Sequence, residues 1–170
     1  MQKFDSMSIY HFLDHHSIQY EKHVHVAVYT SEQARRLITN LPGVSAKNLF
    51  LKTKKDSPYF LLAFPEKKSV DLKALAAELA IPRLSLASPE KLMDILRIEP
   101  GAVSLLALVN DTKKEVEVIL DRELWRADQL QCHPLINTET LVISHEDVLK
   151  FLEATGHKVN LIDLPPPLST

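Results

Sequence analysis

The sequence predicts an α/β or α+β fold, in which one domain has a mixed, mostly antiparallel sheet flanked by helices. Segments with helical periodicity alternate with apolar segments that are short enough to be strands. One pair of strand segments is joined by the short charged turn KTKKDS, which is typical of a hairpin and not of a purely parallel sheet. The length of 170 residues suffices for one well-buried core. We therefore predict one domain over residues 1–164 and a loose tail over residues 165–170.

Several segments have the apolar spacing of amphipathic helices. In chain order they are SIYHFLDHH, TSEQARRLI, VDLKALAAELA, SPEKLMDIL and SHEDVLKFLEATG. Helix-capping residues support three of these helices. Thr30 has a glutamine three residues later, as in a capping box, and Ser88 precedes a proline at the first helical position. Ser144 is placed to begin the last helix and Gly156 to end it.

The predicted strands are the segments between the helices that are apolar or that alternate. In chain order they are IQYEKHVHVAV, VSAKNLFLK, PYFLLAF, RLSLA, AVSLLALV, EVEVIL, TLVIS and KVNLIDL. EVEVIL alternates between charged and apolar residues, which favours a strand with one solvated face. PYFLLAF is apolar on both faces and is therefore predicted to be a central strand covered on both sides. KVNLIDL is expected to close the sheet.

Composition excludes several function classes. The net charge of −2 is unlike that of a typical sequence-reading DNA-binding protein, although a local patch could still contact the end of a nucleic acid. The single cysteine, Cys132, permits no internal disulfide and fits the cytoplasm. No signal peptide and no apolar run of about 18 residues is expected, so no membrane contact is predicted. The chain has only three glycines and neither a Rossmann fingerprint nor a P-loop, so no cofactor is predicted.

Histidines and the cysteine are the first candidates for chemistry. His23 and His25 share a strand face and could bind a metal, but no third ligand is suggested, so structural histidines are the favoured interpretation and no metal is predicted. Cys132 and His133 point to opposite faces of an extended chain, which disfavours a catalytic pair and favours a buried, inert thiol. His133 lies in the polar segment CHPLINTET before a strand, where functional loops often lie.

The strand VSAKNLFLK carries two lysines on opposite faces. With a period of two residues, Lys47 shares a face with Leu49 and Leu51, which is the face more favoured to be buried. Its ammonium group must then reach solvent or meet an anion in a pocket. Lys52 leads into the charged turn and is interpreted as a solvated residue. Lys47 is therefore a candidate functional residue.

The segment EPGAVSLLALV places a Pro-Gly turn before a predicted strand. Gly101 would permit a positive φ angle or a close backbone approach. The N–H groups of such a turn could stabilise a carbonyl oxygen, although a plain β-turn is the simpler interpretation.

Five segments, taken together and in order, resemble the YbaK/ProX family of aminoacyl-tRNA editing domains. They are LPGVSAKNLFLKTKK, VDLKALAAELAIPRLSLASPEKLMDILRIEPGAVS, LVND, CHPLINTETLVIS and FLEATGHKVNLIDL. The resemblance extends from about residue 9 to residue 164 and is greatest to free-standing prolyl-tRNA editing proteins that deacylate alanyl-tRNA(Pro). The combination of KNLFLK with HPLINTET makes it specific.

The resemblance implies a set of site residues. Lys47 matches the editing lysine of the family, and Asn48 matches the residue that accompanies it. His133 matches the histidine of the substrate pocket, and Thr30 matches the start of the pocket helix. The loop that lies against the ester carbonyl and the amino acid corresponds to Gly101, Ala102, Val103, Ser104 and Leu105. Leu105 replaces the usual proline, and HVHVAVYT lacks the prolines usual before the threonine, so the pocket could accept an amino acid other than alanine.

The function that follows is hydrolysis of a mischarged aminoacyl-tRNA. The resemblance implies a deacylase that needs neither a metal nor a covalent intermediate, because the ester is already activated. Its partner would be the acceptor end of an aminoacyl-tRNA, with a prolyl-tRNA synthetase as a further candidate. Two alternatives stay open: the same reaction on a cysteine, serine or threonine ester, and a non-catalytic module that binds tRNA or a synthetase.

Overall fold

A mixed eight-stranded sheet organises the chain in the computed structural model, which describes residues 6–27, 32, 41–55 and 57–166. Its strands are β1 Glu21–Val24, β2 Val44–Thr53, β3 Tyr59–Pro65, β4 Leu84–Leu86, β5 Val116–Asp121, β6 Gln129–Cys132, β7 Glu139–Ser144 and β8 Val159–Ile162. The described α-helices are α1 Ser6–His15, α2 Leu72–Glu78, α3 Pro89–Leu96, α4 Arg122–Trp125 and α5 His145–Thr155. Two 3-10 helices, Pro100–Ala102 and Leu105–Asn110, connect α3 to β5.

The strand order confirms the predicted mixed sheet. The strands follow the order β1-β7-β6-β2-β3-β5-β8, and β4 pairs with β2 beside this path. The pairs β1/β7, β6/β7, β2/β3 and β2/β4 are antiparallel, whereas β2/β6, β3/β5 and β5/β8 are parallel. The predicted hairpin is β2/β3, and all residues of β3 are buried, as expected for a central strand.

Helices cover the two faces of the sheet unequally. The first face packs against α1, α3, the longer 3-10 helix and α5, and forms the larger core. The second face packs against α2 and forms a smaller core. Representative buried side chains of the larger core are Leu13, Phe50, Leu61, Leu96, Leu120, Leu141 and Phe151. Those of the smaller core are Leu51, Phe60, Leu62, Phe64, Leu75 and Ile119.

One edge of β2 is divided between two neighbouring strands. Val44 and Ser45 pair with β6 in parallel, whereas Leu51–Thr53 pair with β4 in antiparallel fashion. Gly43 precedes the part of β2 that pairs with β6, and its φ of +87° is in the left-handed region. A Cβ atom at Gly43 would lie 3.0 Å from the carbonyl oxygen of Gln129, so both the backbone conformation and the space require glycine. The candidate site residues Lys47 and Asn48 lie on β2 between the residues that pair with β6 and those that pair with β4.

The strand predicted for AVSLLALV is wrong, because this segment forms 3-10 helix. Ser104 caps the helix: its hydroxyl oxygen accepts a hydrogen bond from Leu106 N at 3.2 Å, and its carbonyl oxygen accepts one from Ala107 N at 3.1 Å. Residues 105–110 are all buried. A fully buried apolar run has no amphipathic period that would distinguish helix from strand, and this explains the error. Strand β6 and the short helix α4 were also absent from the sequence-based expectations.

Cap residues predicted from the sequence are confirmed where the structure describes them. The hydroxyl oxygen of Ser88 accepts from Lys91 N at 3.1 Å, and that of Ser144 accepts from Asp147 N at 3.2 Å. Gly156 ends α5 with a φ of +73°. Thr30 and the helix predicted from TSEQARRLI lie outside the described residues, apart from residue 32. None of the helices in the described ranges is long and apolar enough to cross a membrane.

Candidate functional site

The centre of the candidate site is the part of β2 between its two edge partners. Lys47 is opposite Phe64 of β3, and Asn48 is opposite Ala63. As predicted, Leu49 and Leu51 share the face of Lys47 and pack in the smaller core, but the opposite face of β2 is buried as well, in the larger core. Lys47 itself is exposed, and within the described ranges no hydrogen bond or ion pair engages its ammonium group. The strand thus holds a cation that has no counter-ion among the described residues.

Asn48, the next residue of β2, has a hydrogen-bond acceptor that lacks a donor among the described residues. Its side chain is half-buried on the first face of the sheet, and its buried Oδ1 atom has no hydrogen-bond partner in the part of the chain that the structure describes. A buried carbonyl oxygen without a donor costs about 1–3 kcal/mol. Adjacent residues of β2 therefore offer an ammonium donor on one face and an unsatisfied acceptor on the other.

His133 follows β6 and is half-buried. Its Nδ1 atom lies 3.2 Å from the carbonyl oxygen of Glu139 in β7. A carbonyl oxygen only accepts, so Nδ1 carries the proton and the lone pair of the neutral ring is on Nε2. Burial lowers the pKa of His133; the hydrogen bond to Glu139 opposes this shift, and the neighbouring His25 adds to it. His133 is therefore a neutral histidine with a hydrogen-bond acceptor on Nε2 at neutral pH.

Glu139 connects this region to α1 on the other side of the sheet. Its carboxylate accepts hydrogen bonds from the hydroxyl of Tyr10, at 3.1 and 3.3 Å, and lies 3.5 Å from the ammonium group of Lys22. Burial, with the charge and hydrogen bond of Glu139, raises the pKa of Tyr10, so the tyrosine stays a donor. These contacts fix the start of β7, whose backbone in turn orients His133.

His25 is a residue that the sequence-based interpretation set aside. Its Nε2 atom lies 2.8 Å from the hydroxyl of Thr140, and its Nδ1 atom lies 2.7 Å from the carbonyl oxygen of Val26. The spacing of His23 and His25 did indicate a shared strand face, but His23 contacts Glu21, with 2.9 Å between Nε2 and Oε1 and without the alignment of a hydrogen bond. The signal that would have selected His25, its contact across the sheet to Thr140, depends on strand register.

The predicted carbonyl-binding loop has a 3-10 conformation. Gly101 lies in the turn Pro100–Ala102, in which Ala102 N donates to the carbonyl oxygen of Glu99 at 2.9 Å. Gly101 does not use a positive φ angle. Val103 packs against the larger core, and Ser104 is fully buried. The loop thus lies against the face of the sheet that carries Asn48.

Leu105 is the first residue of the second 3-10 helix. Proline is favoured at this position because the helix does not use the N–H group there. The two hydrogen bonds accepted by Ser104 fix the loop at the same point. The departure from the family proline is therefore compatible with a fixed loop.

The described histidines and cysteine give no metal centre. No group of three histidine, cysteine or carboxylate side chains within the described ranges could hold a metal ion. Cys132 is buried in the larger core, and burial raises the pKa of its thiol to about 12. This agrees with the expectation of an inert thiol.

A separate buried histidine, His157, belongs to a closed cluster. Its Nε2 atom donates to the carboxylate of Asp111 at 2.8 Å. Asp111 also accepts from the backbone N–H groups of Glu115 and Val116, at 3.0 and 2.9 Å. Burial alone would raise the pKa of Asp111, but these hydrogen bonds outweigh it and lower the pKa. This cluster joins the start of β5 to the end of α5.

The chain belongs to the aminoacyl-tRNA editing domain family, whose sequence profile matches residues 25–151. Prolyl-tRNA editing protein ProX of Acetoanaerobium sticklandii is 34% identical over 152 residues, which cover 89% of this chain and 93% of that protein. Prolyl-tRNA synthetase associated domain-containing protein 1 of Danio rerio is 39% identical over 135 residues, which cover 78% of this chain and 73% of that protein. The predicted family and the predicted enzyme class are confirmed.

Solved structures share the fold. The crystal structure of a candidate trans-editing enzyme for prolyl tRNA synthetase matches with a TM-score of 0.65 at 17% identity, covering 94% of this chain and 97% of that chain. Hypothetical protein APE2540 matches with a TM-score of 0.69 at 15% identity, covering 91% of this chain and 97% of that chain. These likenesses support the predicted fold class.

Proposed function

We propose that this protein is a trans-editing hydrolase that deacylates mischarged aminoacyl-tRNA, with alanyl-tRNA(Pro) as its main substrate. Family membership supports the reaction class. The name of the Acetoanaerobium sticklandii relative, a prolyl-tRNA editing protein, supports the choice of tRNA. The proposed site of action is the cytoplasm, where the acceptor end of the tRNA is the partner and a prolyl-tRNA synthetase could deliver it.

The observation that carries the proposal is the pair of unmatched groups on β2. Lys47 has an exposed ammonium group with no counter-ion among the described residues, and Asn48 has a buried oxygen with no donor. The ammonium group of Lys47 is solvated, whereas folding alone gives no reason to bury the Asn48 oxygen without a donor. An aminoacylated tRNA end offers the matching chemistry, because it carries phosphate oxygens for a cation and hydroxyl or amino donors for a carbonyl oxygen.

The mechanism follows from the kind of bond that is cleaved. An aminoacyl ester is activated, so a positioned water suffices as the nucleophile and no covalent intermediate is needed. Lys47 would bind the terminal phosphate and ribose and so place the ester. Backbone N–H groups of residues 101–104, apart from that of Ala102, which donates to Glu99, would stabilise the negative charge that develops on the carbonyl oxygen. The terminal ribose hydroxyl of the substrate could itself activate the water.

Amino-acid choice is assigned to the residues that match the family's substrate pocket, His133 and Thr30, of which the structure describes His133. A synthetase site built for proline cannot strongly exclude a smaller amino acid, because a missing methylene changes binding by only about 1–3 kcal/mol. A separate hydrolytic site then removes the product. His133, which is neutral and half-buried, would contact the aminoacyl group.

Leu105 is the observation that favours a second candidate, the same reaction on another amino acid. Its side chain is buried where the family has proline, so the shape of the pocket floor could differ. Serine, cysteine and threonine esters are the alternatives of similar size. In this case the tRNA and the chemistry would stay the same, and only the preferred aminoacyl group would change.

Deacylation of matched tRNA(Pro) substrates tests the proposal. Alanyl-, seryl-, cysteinyl-, threonyl- and prolyl-tRNA(Pro) would each be incubated with the wild-type protein under single-turnover conditions. We expect the alanyl ester to be cleaved fastest and the prolyl ester to survive. A serine or cysteine preference would favour the second candidate, whereas tRNA binding without cleavage of any ester would contradict the enzyme and indicate a binding module.

A further inference from the structure

His25, Thr140 and His133 come together on one side of the sheet, although they belong to three different segments. His25 N donates to the carbonyl oxygen of Thr138 at 2.9 Å, so the β1/β7 ladder continues beyond the end of β1. This pairing brings the imidazole of His25 across to the hydroxyl of Thr140, with 2.8 Å between Nε2 and Oγ1. His133 is close enough for His25 to influence its pKa.

The hydrogen bonds define the orientation of both rings. The carbonyl oxygen of Val26 only accepts, so Nδ1 of His25 carries a proton, and the neutral ring accepts the Thr140 hydroxyl proton at Nε2. His133 is fixed in the same tautomer by the carbonyl oxygen of Glu139. Adjacent residues of β7, Glu139 and Thr140, thus each hold one histidine.

The charges around His133 favour its neutral form. The first contribution is burial, and the second is His25, which disfavours a proton on its neighbour. Among the described residues of β1 and β2, His23, Lys47 and Glu21 also belong to this face, and the carboxylate of Glu21 contacts His23, with 2.9 Å between Oε1 and Nε2. The carboxylate of Glu139 is directed to the opposite face, toward α1.

We propose that His25 and Thr140 form a positioning pair for His133, an assignment that rests on the proposed editing function. The pair keeps the Nε2 lone pair of His133 available for the α-ammonium group of the esterified amino acid. This group is the hydrogen-bond donor nearest to the ester carbonyl and is common to aminoacyl esters. His25 acts through His133 and contacts no reacting atom.

The test compares variants with and without the Thr140 hydroxyl. Thr140→Val removes the hydroxyl at similar volume, and Thr140→Ser retains it. Loss of one hydrogen bond in the pair should raise KM for alanyl-tRNA(Pro) about 3- to 10-fold in Thr140→Val, with little change in kcat. His25→Ala should do the same, and Thr140→Ser should behave as the wild type. His23→Ala, on the same strand and face, is the matched control and should leave KM unchanged.

Long-range proton–nitrogen NMR of the His133 ring provides a readout that does not depend on catalysis. His25→Ala should move the His133 titration to higher pH, because the influence by which His25 lowers the pKa of His133 is removed. Thr140→Val should broaden or shift the ring signals, and His23→Ala should leave them in place. Unchanged His133 signals in both His25→Ala and Thr140→Val would overturn the positioning pair, even in an active deacylase. Shifted signals in a protein without deacylase activity would retain the pair and refute the editing function.

Discussion

The chain has two buried or half-buried histidines whose surroundings are opposite in character. His157 donates to Asp111, which also accepts two backbone N–H groups, so the charge of the carboxylate is matched inside the protein. His133 lies in the region of Lys47 and Asn48, where an ammonium group and a carbonyl oxygen have no partners among the described residues. The first cluster is closed around its carboxylate, although Nδ1 of His157 has no hydrogen-bond partner among the described residues, whereas the second is proposed to be open to a ligand.

The comparison indicates which residues of this fold are expected to affect stability and which are expected to affect activity. A carboxylate that is buried and fully hydrogen-bonded contributes to folding only as long as its partners remain. Unpaired groups do not stabilise the folded chain, and under the proposed function those on β2 would be paired by the substrate. Substitutions in the closed cluster should therefore change stability, and substitutions in the open region should change activity.

The largest effect is expected from Asp111→Ala. The substitution leaves His157 and two backbone N–H groups buried without their acceptor. Breaking a buried pair in this way costs about 3–5 kcal/mol of unfolding free energy. Urea unfolding followed by circular dichroism measures it. Asp128→Ala, at an exposed position, is the control and should unfold like the wild type. Equal stability of the two variants would contradict the closed cluster.

The pH dependence of stability gives a second measurement on the same carboxylate. The native pKa of Asp111 lies below the reference value of 3.8, so its stabilisation is fully present above that pH. It is lost as the pH falls through the lower native value. Stability of the wild type should therefore fall more steeply below about pH 4 than that of Asp111→Ala. The same pH dependence of stability in the wild type and in Asp111→Ala would contradict the lowered pKa of Asp111.

Lys47→Ala should have the largest effect on activity. The ammonium group has no counter-ion among the described residues, so its loss should change unfolding free energy by less than about 0.5 kcal/mol. Loss of a charged group that binds the substrate should lower kcat/KM by about 100-fold or more. Lys52→Ala, at the other end of β2 and on the other face, is the matched control and should retain activity. Full activity of folded Lys47→Ala would remove the basis of the proposed function.

Asn48→Ala should lower activity less than Lys47→Ala does, and it should leave the stability unchanged or raise it. Removing the unsatisfied Oδ1 should leave the protein equally stable or up to about 1 kcal/mol more stable. Loss of one substrate hydrogen bond should lower kcat/KM about 10-fold. Thermal unfolding and single-turnover deacylation together test this. A marked loss of stability would show that Asn48 has a structural role.

The smallest effect is expected from Cys132→Ala. The thiol is buried in the larger core, with a pKa of about 12, and so it is neither ionised nor accessible as a nucleophile. The truncation should cost about 1 kcal/mol of stability and leave kcat/KM within about twofold of the wild type. Loss of deacylation in this variant would reopen a covalent cysteine mechanism.

The sequence predicted the strands with clear periodicity, the capped helices and the orientation of Lys47, because these features are local. It failed at residues 102–109, where complete burial removes the periodic signal that separates helix from strand. It could not identify His25 as a partner of Thr140, because that contact depends on the register between strands that are far apart in the chain. Asn48 was predicted from family resemblance, whereas its unsatisfied oxygen becomes visible only after packing.

The divided edge of β2 has a consequence for local unfolding. Strands β1, β7 and β6 join the rest of the sheet through the pairing of Val44 and Ser45 with β6. Among the described residues, the side-chain amide of Gln131 adds hydrogen bonds at this joint, donated to the carbonyl oxygens of residues 41–43 at 3.2–3.4 Å. The backbone connection is therefore narrow, and side chains of the larger core supply the remaining contact between the two parts of the sheet. We expect the two parts to differ in their local opening. Native-state hydrogen exchange should then show one opening free energy for β1, β7 and β6 and a higher one for β3, β5 and β8.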